Sequence, residues 1–237
     1  MGRFIGVTRF LVAVVLSMFF AVLAIVTLPI NRRGVVFHAV ARTWARVILS
    51  ICHVKVRVNG LDKIDPLRNY VYVSSHASMF DIPAILAGIP DQIRIVYKRE
   101  LEKIPFFGWG LKWGSYIGID RRSRADAMKS LEQATEKIRR GASVLLYAEG
   151  TRTLDGKLQP FKRGAFNLAV RAGVPVVPLT VNGSYHILPK RSISIDPGTI
   201  DIVLDTPIAI GAETGKDAEM NLMEQVHTAI AQHYIDQ

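Results

Sequence analysis

The chain has 237 residues, of which 49% are hydrophobic, and its formal net charge is +10 at pH 7. This length supports one good-sized hydrophobic core. The single cysteine, Cys52, excludes an intrachain disulfide and a cysteine-rich metal site, and it fits a reducing compartment. Eight of the ten net charges precede the first acidic residue, Asp62, instead of lying on the bulk of the chain, which argues against a nucleic-acid-binding protein.

Residues 10–30 form an apolar run with no charged residue and only Ser17 and Thr27 as polar interruptions. A helix of this length, at about 1.5 Å per residue, matches the thickness of the hydrocarbon core of a bilayer. A cleaved signal peptide is the alternative, but the run is longer than the apolar region of a signal peptide and no small-residue cleavage site follows. The run therefore predicts a retained membrane anchor.

Basic residues surround this predicted helix, a pattern typical of contact with anionic lipid headgroups. Arg32 and Arg33 follow the run directly, which favours a cytoplasmic position for the rest of the chain if the helix spans the bilayer. The sequence leaves open whether the helix spans the bilayer or lies within one leaflet.

Residues 35–52 predict a second helix, because apolar side chains recur there at spacings of three and four. Such a helix either lies at the membrane interface beside the anchor or packs on the folded domain as an ordinary helix. We therefore divide the chain into membrane-anchoring helices at residues 1–52 and a folded domain at residues 53–237.

Predicted strands and helices alternate through that domain. Strands are predicted at residues 55–60, 70–75, 93–98, 115–120, 143–148 and 174–183, and in the segments ISI and TIDIVL within 193–204. Helices are predicted near residues 81–88, from Ser123 to Gly141, and at 164–172 and 216–234, with a loop or short helix at 105–114. The prolines of segment 174–183 predict a strand near the sheet edge. The alternation predicts an α/β fold with a largely parallel or mixed sheet flanked by helices, preceded by an N-terminal membrane-anchoring helical segment.

Among the six histidines, only His76 follows an apolar strand, lies among serines and has an aspartate, Asp81, five residues later. Five residues along a continuous helix turn two side chains about 140° apart, so the pair meets only if His76 lies in a loop and Asp81 at a helix start. Asp81 would then accept the imidazole N–H and fix the tautomer of the ring. The alternative is a structural histidine held by a hydrogen bond.

Two absent motifs narrow the chemistry that His76 could perform. The sequence has no HExxH motif or Cys/His cluster, which argues against a metal site. It also has no G-x-S-x-G elbow, which supplies the nucleophile of many serine hydrolases. The hydroxyl to be activated is therefore expected to come from the substrate, and transfer of its proton to a histidine contributes about 10²–10⁴ in rate.

A second motif, Glu149-Gly150-Thr151-Arg152, follows the apolar strand at 143–148. Ligands of open α/β sheets bind at the carboxyl ends of strands. Gly150 permits a tight turn, and Arg152 can bind a phosphate through two parallel hydrogen bonds. The alternative is a surface Glu–Arg pair in a turn.

Two other basic groups follow strands in the same way. Lys98 ends the strand at 93–98, and Arg121 and Arg122 follow the strand at 115–120. Three basic groups after three strands indicate a shared anionic ligand.

These motifs, in this order, resemble those of the lysophospholipid acyltransferase family, in particular its 1-acyl-sn-glycerol-3-phosphate acyltransferases. The resemblance covers about residues 30–210 and includes an H-x-x-x-x-D motif, a K-x-E-L-x-x-I-P-x-x-G-W block and an E-G-T-R motif. The matching blocks are residues 76–81, 98–110, 119–122, 149–152 with 160–166, and 174–179.

The resemblance implies that residues 53–237 are an acyltransferase domain. Its implied reaction moves a fatty acyl group from acyl-CoA or acyl-carrier protein, as co-substrate, to the sn-2 hydroxyl of lysophosphatidic acid, giving phosphatidic acid in phospholipid biosynthesis. No metal or redox cofactor is needed. His76 would take the hydroxyl proton and return it to the departing thiolate, while Asp81 holds the ring. The implied phosphate-binding residues are Lys98, Arg121 and Arg152, and the residues that shape the turn are Glu149, Gly150 and Thr151.

Several related activities stay open. The acceptor could be a lyso-ornithine lipid, lysocardiolipin or glycerol 3-phosphate, and water in its place would make the protein a lipid hydrolase. A non-enzymatic membrane-binding module is a third class. The expected partners are a lysophospholipid, the acyl donor and a membrane with anionic lipids, without nucleic acid. The expected location is a bacterial inner membrane with the catalytic domain on the cytoplasmic side.

Overall fold

The computed structural model describes residues 2–30, 34–120, 124–139, 141–211 and 215–237. The helices are α1 (Gly2–Val26), α2 (Val35–Ile51), α3 (Asp81–Gly88), α4 (Phe107–Trp113), α5 (Arg124–Arg139), α6 (Gly164–Ala172), α7 (Ser184–Ile187) and α8 (Lys216–His233). The strands are β1 (Val54–Asn59), β2 (Val71–Ser74), β3 (Ile93–Lys98), β4 (Ile117–Ile119), β5 (Ser143–Tyr147), β6 (Val176–Asn182) and β7 (Gly198–Leu204). Single 3-10 turns lie at Leu28–Ile30, Leu61–Lys63 and Arg99–Lys103. Ser123, Arg32, Arg33 and Arg122 lie outside the described residues.

The strands form one mixed sheet in the order β1-β7-β6-β2-β5-β3-β4. Strands β6, β2, β5, β3 and β4 run parallel to one another, whereas β7 is antiparallel to β6 and β1 is parallel to β7. The predicted α/β fold with a mixed sheet is confirmed. Because β2, β5, β3 and β4 run in one direction, the loops that follow them lie at the same edge of the sheet.

Helices cover both faces of the sheet, and strand alternation divides the side chains between them. Tyr72 and Leu145 point into a core shared with α2 and α3. Val73 and Val144, their alternating neighbours, point into a second core made with α5, α6 and α8. Since the central strands are buried on both faces, they read as continuous apolar runs in the sequence.

Helix α2 packs on the folded domain. Of the two alternatives given for residues 35–52, this is the ordinary helix and not the helix at the membrane interface. It contacts α3, and it buries Phe37, Ala45, Ile48 and Leu49 in the core that also contains Tyr72. The same apolar spacing that predicted the helix therefore marks the face that it turns toward the sheet.

Helix α1 is long and apolar enough to cross a membrane by length and composition, and little of its surface is buried. It contacts α2 and α4. The indole Nε1 of Trp44 donates a hydrogen bond to Ser17 Oγ at 3.0 Å, which joins α2 to α1. Near the start of α1, the carbonyl of Gly6 accepts a hydrogen bond of 3.1 Å from the backbone N–H of Ile195. The start and the middle of the helix are thus tied to the rest of the protein.

Two predictions about the last strands are wrong. The segment ISI (193–195) is not a strand, because the Ile195 N–H bonds to α1 instead of a neighbouring strand. Strand β6 is the third of seven strands and not near an edge. The strand tolerates Pro178 because the backbone of this residue faces β7 and not β2. The Pro178 carbonyl accepts a hydrogen bond of 3.0 Å from the Asp205 N–H, and the regular β6–β7 ladder begins one residue later. The missing N–H therefore removes no hydrogen bond to β2.

Candidate active site

The loop after β2 brings His76 and Asp81 together. Asp81 is the first residue of α3, and its Oδ2 atom lies 2.7 Å from His76 Nδ1. The same oxygen accepts the backbone N–H groups of Ala77 at 2.9 Å and Ser78 at 3.0 Å. The carboxylate is fully buried, whereas the imidazole keeps 12% of its surface exposed. Because a carboxylate can only accept, Nδ1 donates, and Nε2 is left as the basic nitrogen.

Tyr147, the last residue of β5, holds the plane of the His76 ring. The two rings stack with their centroids 3.8 Å apart and an interplanar angle of 16°. Burial, together with the negative charge of Asp81, holds the pKa of the Tyr147 hydroxyl well above its usual range, so the hydroxyl stays neutral. The imidazole is therefore fixed by a hydrogen bond at one nitrogen and by a neutral aromatic face.

Glu149 connects the two motifs through backbone groups. Its Oε1 atom accepts the His76 N–H at 2.7 Å, and its Oε2 atom accepts the Gln159 N–H at 3.2 Å. A further bond of 3.0 Å runs from the Thr153 N–H to the His76 carbonyl. Between Glu149 and Thr153, Gly150 adopts a φ of +72°, which a residue with a side chain rarely adopts. Glu149 is buried and its oxygens face N–H groups, so the alternative of a surface Glu–Arg pair is wrong.

The environment of Glu149 raises the pKa of its carboxyl group from the ordinary 4.5 to about 7. Burial is the main cause and the charge of Asp81 adds to it, while the N–H bonds from His76 and Gln159 oppose the shift. The folded protein therefore holds the Glu149 proton more tightly than the unfolded chain does. The stabilisation from this difference is fully present below pH 4.5 and is lost as the pH rises through about 7.

Replacing Glu149 with glutamine is expected to flatten this part of the pH dependence. The free energy of unfolding of the wild type should fall by about 2–3 kcal/mol more between pH 5 and pH 8 than that of Glu149→Gln. Urea unfolding in detergent micelles at a series of pH values measures the difference. Glu224→Gln, at an exposed position of α8, is the matched control and should follow the wild type. Parallel curves for the wild type and Glu149→Gln would contradict this account.

Arg152 ends the second motif, and the charge of Asp81 acts on its guanidinium. The residue is half-buried. Burial lowers the pKa of its guanidinium, and the charge of Asp81 partly offsets this effect. Within the described part of the chain, the Arg152 guanidinium has no hydrogen-bond or ion-pair partner. Its donors are thus free for an external anion.

The other predicted cations are less closely placed. Lys98 ends β3 at the same sheet edge, but β5 separates β3 from β2, which corresponds to about 10 Å between the strands. Tyr97 packs in the core on the His76 face, so strand alternation turns Lys98 toward the opposite face. Lys98 is exposed and forms no ion pair with a described residue. Arg121 lies outside the described residues.

Sequence reasoning missed three neighbours of these motifs. Tyr147 reads as one more apolar strand residue, and Gln159 reaches Glu149 only through its backbone N–H. Lys190 lies 38 residues after Arg152, yet its Nζ donates to the Arg152 carbonyl at 2.9 Å. Neither spacing nor composition signals these contacts, because the fold alone creates them.

Comparison with known proteins agrees with this arrangement. The family described as Acyltransferase matches residues 55–182, more than half of the chain. The chain is 33% identical over 173 residues to the chloroplastic 1-acyl-sn-glycerol-3-phosphate acyltransferase BAT2 of Brassica napus, covering 72% of this chain and 50% of that protein. It is 36% identical over 182 residues to the 1-acyl-sn-glycerol-3-phosphate acyltransferase of Pseudomonas aeruginosa, covering 75% of this chain and 68% of that protein.

The fold also has a solved counterpart. The crystal structure of the 1-acyl-sn-glycerophosphate (LPA) acyltransferase PlsC from Thermotoga maritima superposes with a TM-score of 0.70 at 24% identity, covering 95% of this chain and 97% of that one. The chain spans about half the length of the two chloroplastic relatives that it matches, from Brassica napus and Arabidopsis thaliana. On the family match and on its likeness to the Pseudomonas protein, the chain belongs to the acyltransferase family.

Proposed function

We propose that this chain transfers a fatty acyl group from a thioester to the sn-2 hydroxyl of 1-acyl-sn-glycerol 3-phosphate, giving phosphatidic acid. One observation carries the proposal: the His76–Asp81 pair and the Arg152 guanidinium, which has no partner among the described residues, belong to two motifs that are hydrogen-bonded to each other through Glu149. A base beside an anion-binding group suits an alcohol that carries a phosphate. The names of the Brassica and Pseudomonas relatives support the same reaction.

The proposed reaction uses Nε2 of His76 as the base. As the acceptor oxygen attacks the thioester carbonyl, Nε2 takes the hydroxyl proton, and Asp81 stabilises the imidazolium through Nδ1. A carbon–oxygen bond forms and the carbon–sulfur bond then breaks. Nε2 gives its proton to the departing thiolate, which leaves as a free thiol. Acyl-CoA and acyl-carrier protein supply the same thioester, so this chemistry fits either donor and needs no metal or redox group.

Arg152 would bind the phosphate of the acceptor, since its guanidinium is half-buried and unpaired among the described residues. The planar fork of arginine matches two phosphate oxygens. Lys98 and Arg121 stay proposed ligands of the same phosphate, because β3, which Lys98 ends, and β4, which Arg121 follows in the sequence, end at the same sheet edge as β5. Since Lys98 starts from the opposite face of the sheet, its side chain would have to cross that edge to reach the phosphate. Gly150 and Thr151 would shape the turn that presents Arg152.

We propose that an apolar surface formed by α1 and α4 binds the membrane and holds the active site there. Leu11, Val15 and Phe19 of α1 are each at least 59% exposed. Trp109 and Trp113 of α4 are also exposed, and α4 lies against α1, with Gly110 close to the Ala21 backbone. Tryptophan prefers the boundary between lipid and water. A single-chain lysolipid partitions into the bilayer, so an enzyme held there meets it concentrated and oriented.

We propose that the protein lies at a bacterial inner membrane, as its Pseudomonas relative supports, with the catalytic domain on the cytoplasmic side, as the charge pattern supports. In the sequence, Arg32 and Arg33 come directly after the apolar run of residues 10–30, and if that run spans the bilayer, basic residues on this side favour the cytoplasm.

The double substitution Leu11→Asp/Val15→Asp is expected to lower the vesicle partition constant by at least about 100-fold, because each buried apolar side chain contributes about 1.5–3 kcal/mol. Flotation with phosphatidylglycerol and phosphatidylethanolamine vesicles measures the bound fraction. Leu67→Asp/Ile235→Asp is the matched control, since both residues are exposed apolar side chains outside the α1–α4 surface. If both double variants float like the wild type, the α1–α4 surface does not hold the protein on the bilayer.

A panel of acceptors tests the proposed reaction. Purified full chain in vesicles receives a labelled acyl thioester with lysophosphatidic acid, a lyso-ornithine lipid, lysocardiolipin or glycerol 3-phosphate. We expect the highest kcat/KM with lysophosphatidic acid and label in phosphatidic acid. Preference for another acceptor would replace the proposed substrate. Acyl-CoA and acyl-carrier protein, compared on the preferred acceptor, identify the donor.

A further inference from the structure

Lys190 lies directly against the Glu149–Arg152 turn. Its Nζ atom donates hydrogen bonds to Thr151 Oγ1 at 3.1 Å and to the Arg152 carbonyl at 2.9 Å. The lysine comes from the segment after α7, which no motif of the sequence marks. Two contacts to one turn hold its ammonium beside the residue that presents the guanidinium.

The same segment also contacts the His76–Asp81 loop. Ser78 Oγ donates a hydrogen bond of 2.9 Å to the carbonyl of Leu188. Leu188 and Lys190 therefore join the His76–Asp81 loop to the Glu149–Arg152 turn. Directly after Lys190, Arg191 adopts a φ of +75°, a conformation that non-glycine residues rarely adopt and that is often found at functional sites. The segment is therefore held in one particular path across both motifs.

The charge of Lys190 is left unbalanced by this arrangement. An ammonium has three N–H donors, and here two of them meet neutral oxygens. No described carboxylate forms an ion pair with Lys190, and none pairs with the neighbouring Arg152. The Lys190 ammonium, held against the turn, and the Arg152 guanidinium, carried by the turn, repel each other unless an anion lies between or beside them. A phosphate monoester fits best, because it carries close to two negative charges at neutral pH, whereas a phosphodiester carries one.

We propose that Lys190 is a second phosphate-binding cation that, with Arg152, selects acceptors ending in a phosphate monoester over lysophospholipids whose phosphate is a diester. The proposal rests on the proposed function, because it assigns specificity to the same site. The third N–H of the ammonium and its charge face the second negative charge of the monoester. Lys190 thus both holds the turn and contacts the substrate.

Acceptor kinetics of Lys190→Met test this role. Its KM for lysophosphatidic acid should rise about 10- to 100-fold, while kcat and KM for the acyl thioester stay within about threefold. The ratio of kcat/KM for lysophosphatidic acid to that for lysophosphatidylglycerol should fall by the same factor. Lys190→Arg should restore most of it. Lys157→Met, which removes an exposed lysine from the loop after the same turn, should match the wild type.

An unchanged acceptor ratio in Lys190→Met would overturn the proposal, and so would an equal loss with both acceptors, which would mean that Lys190 only holds the turn. Titration with inorganic phosphate above pH 7 gives a readout that needs no turnover. We expect Lys190→Met to weaken phosphate binding about 10- to 100-fold relative to the wild type and Lys157→Met. Equal phosphate affinity in all three proteins would contradict the role of Lys190. If phosphate binding depends on Lys190 but the wild type transfers no acyl group, the phosphate site stands and the proposed function is wrong.

Discussion

Replacing His76 with alanine is expected to lower kcat for acyl transfer by about 10²–10⁴, because the acceptor hydroxyl loses its base. The KM values for lysolipid and thioester should stay within a few-fold of the wild type, since phosphate binding is assigned to other residues. Alanine keeps the backbone N–H that Glu149 accepts, so the link between the two motifs is retained. Initial rates at saturating substrate, with vesicle-bound enzyme, measure the effect.

His186→Ala is the matched control for this variant. His186 is exposed and lies in α7, two residues before Leu188. It should transfer acyl groups at the wild-type rate. His76→Ala working at that rate, with an unchanged thermal unfolding midpoint, would remove the imidazole from the mechanism.

Replacing Arg152 with methionine should raise KM for lysophosphatidic acid by about 100-fold or more, because two charge-assisted hydrogen bonds to phosphate are lost and each contributes about 1.5–3 kcal/mol. KM for the thioester should change little. Arg152→Lys keeps the charge but not the two-pronged geometry, so its KM should fall between the two. Steady-state kinetics with the acceptor varied and the donor saturating measure the change.

Arg68→Met is a suitable control, since Arg68 is an exposed arginine whose ion pair with Asp65 lies at the surface. It should match the wild type in both KM values. If Arg152→Met lowered kcat and left the acceptor KM unchanged, Arg152 would act on the reacting atoms and not on the headgroup. Together, the two variants separate proton transfer by His76 from phosphate binding by Arg152, because the first variant changes kcat and the second changes KM.

The sheet was largely predictable from the sequence because its strands are short apolar runs bounded by turns. Ile93–Lys98 matches the predicted strand at both ends, and Gly173 ends α6 in the left-handed conformation, as expected of a glycine at that position. The prolines of the predicted strand at 174–183 misled the prediction. A proline excludes a strand from the sheet interior only where its missing N–H would have bonded a neighbour, and that direction is set by register, which the sequence does not reveal.

Helix geometry set the condition under which His76 and Asp81 could meet, namely a loop histidine and a helix-starting aspartate, and the structure fulfils it. The partners of Glu149 were not predictable, because they are backbone N–H groups and every non-proline residue carries one. Lys190 was hidden for a related reason. It contacts the turn from 38 residues away, through a segment without periodicity or motif. Long-range contacts of this kind come from tertiary structure, which the local pattern does not encode.

The central claim is that the nucleophile is a lipid hydroxyl, because a histidine base can activate either a lipid hydroxyl or water. Purified wild type with a labelled acyl thioester, assayed with and without lysophosphatidic acid, tests it directly by counting free thiol, phosphatidic acid and free fatty acid. We expect one thiol released for each phosphatidic acid formed, and almost no thiol release when the lysolipid is left out. Thiol release at an equal rate without lysolipid, with the label in free fatty acid, would show that water is the acceptor and would contradict the account.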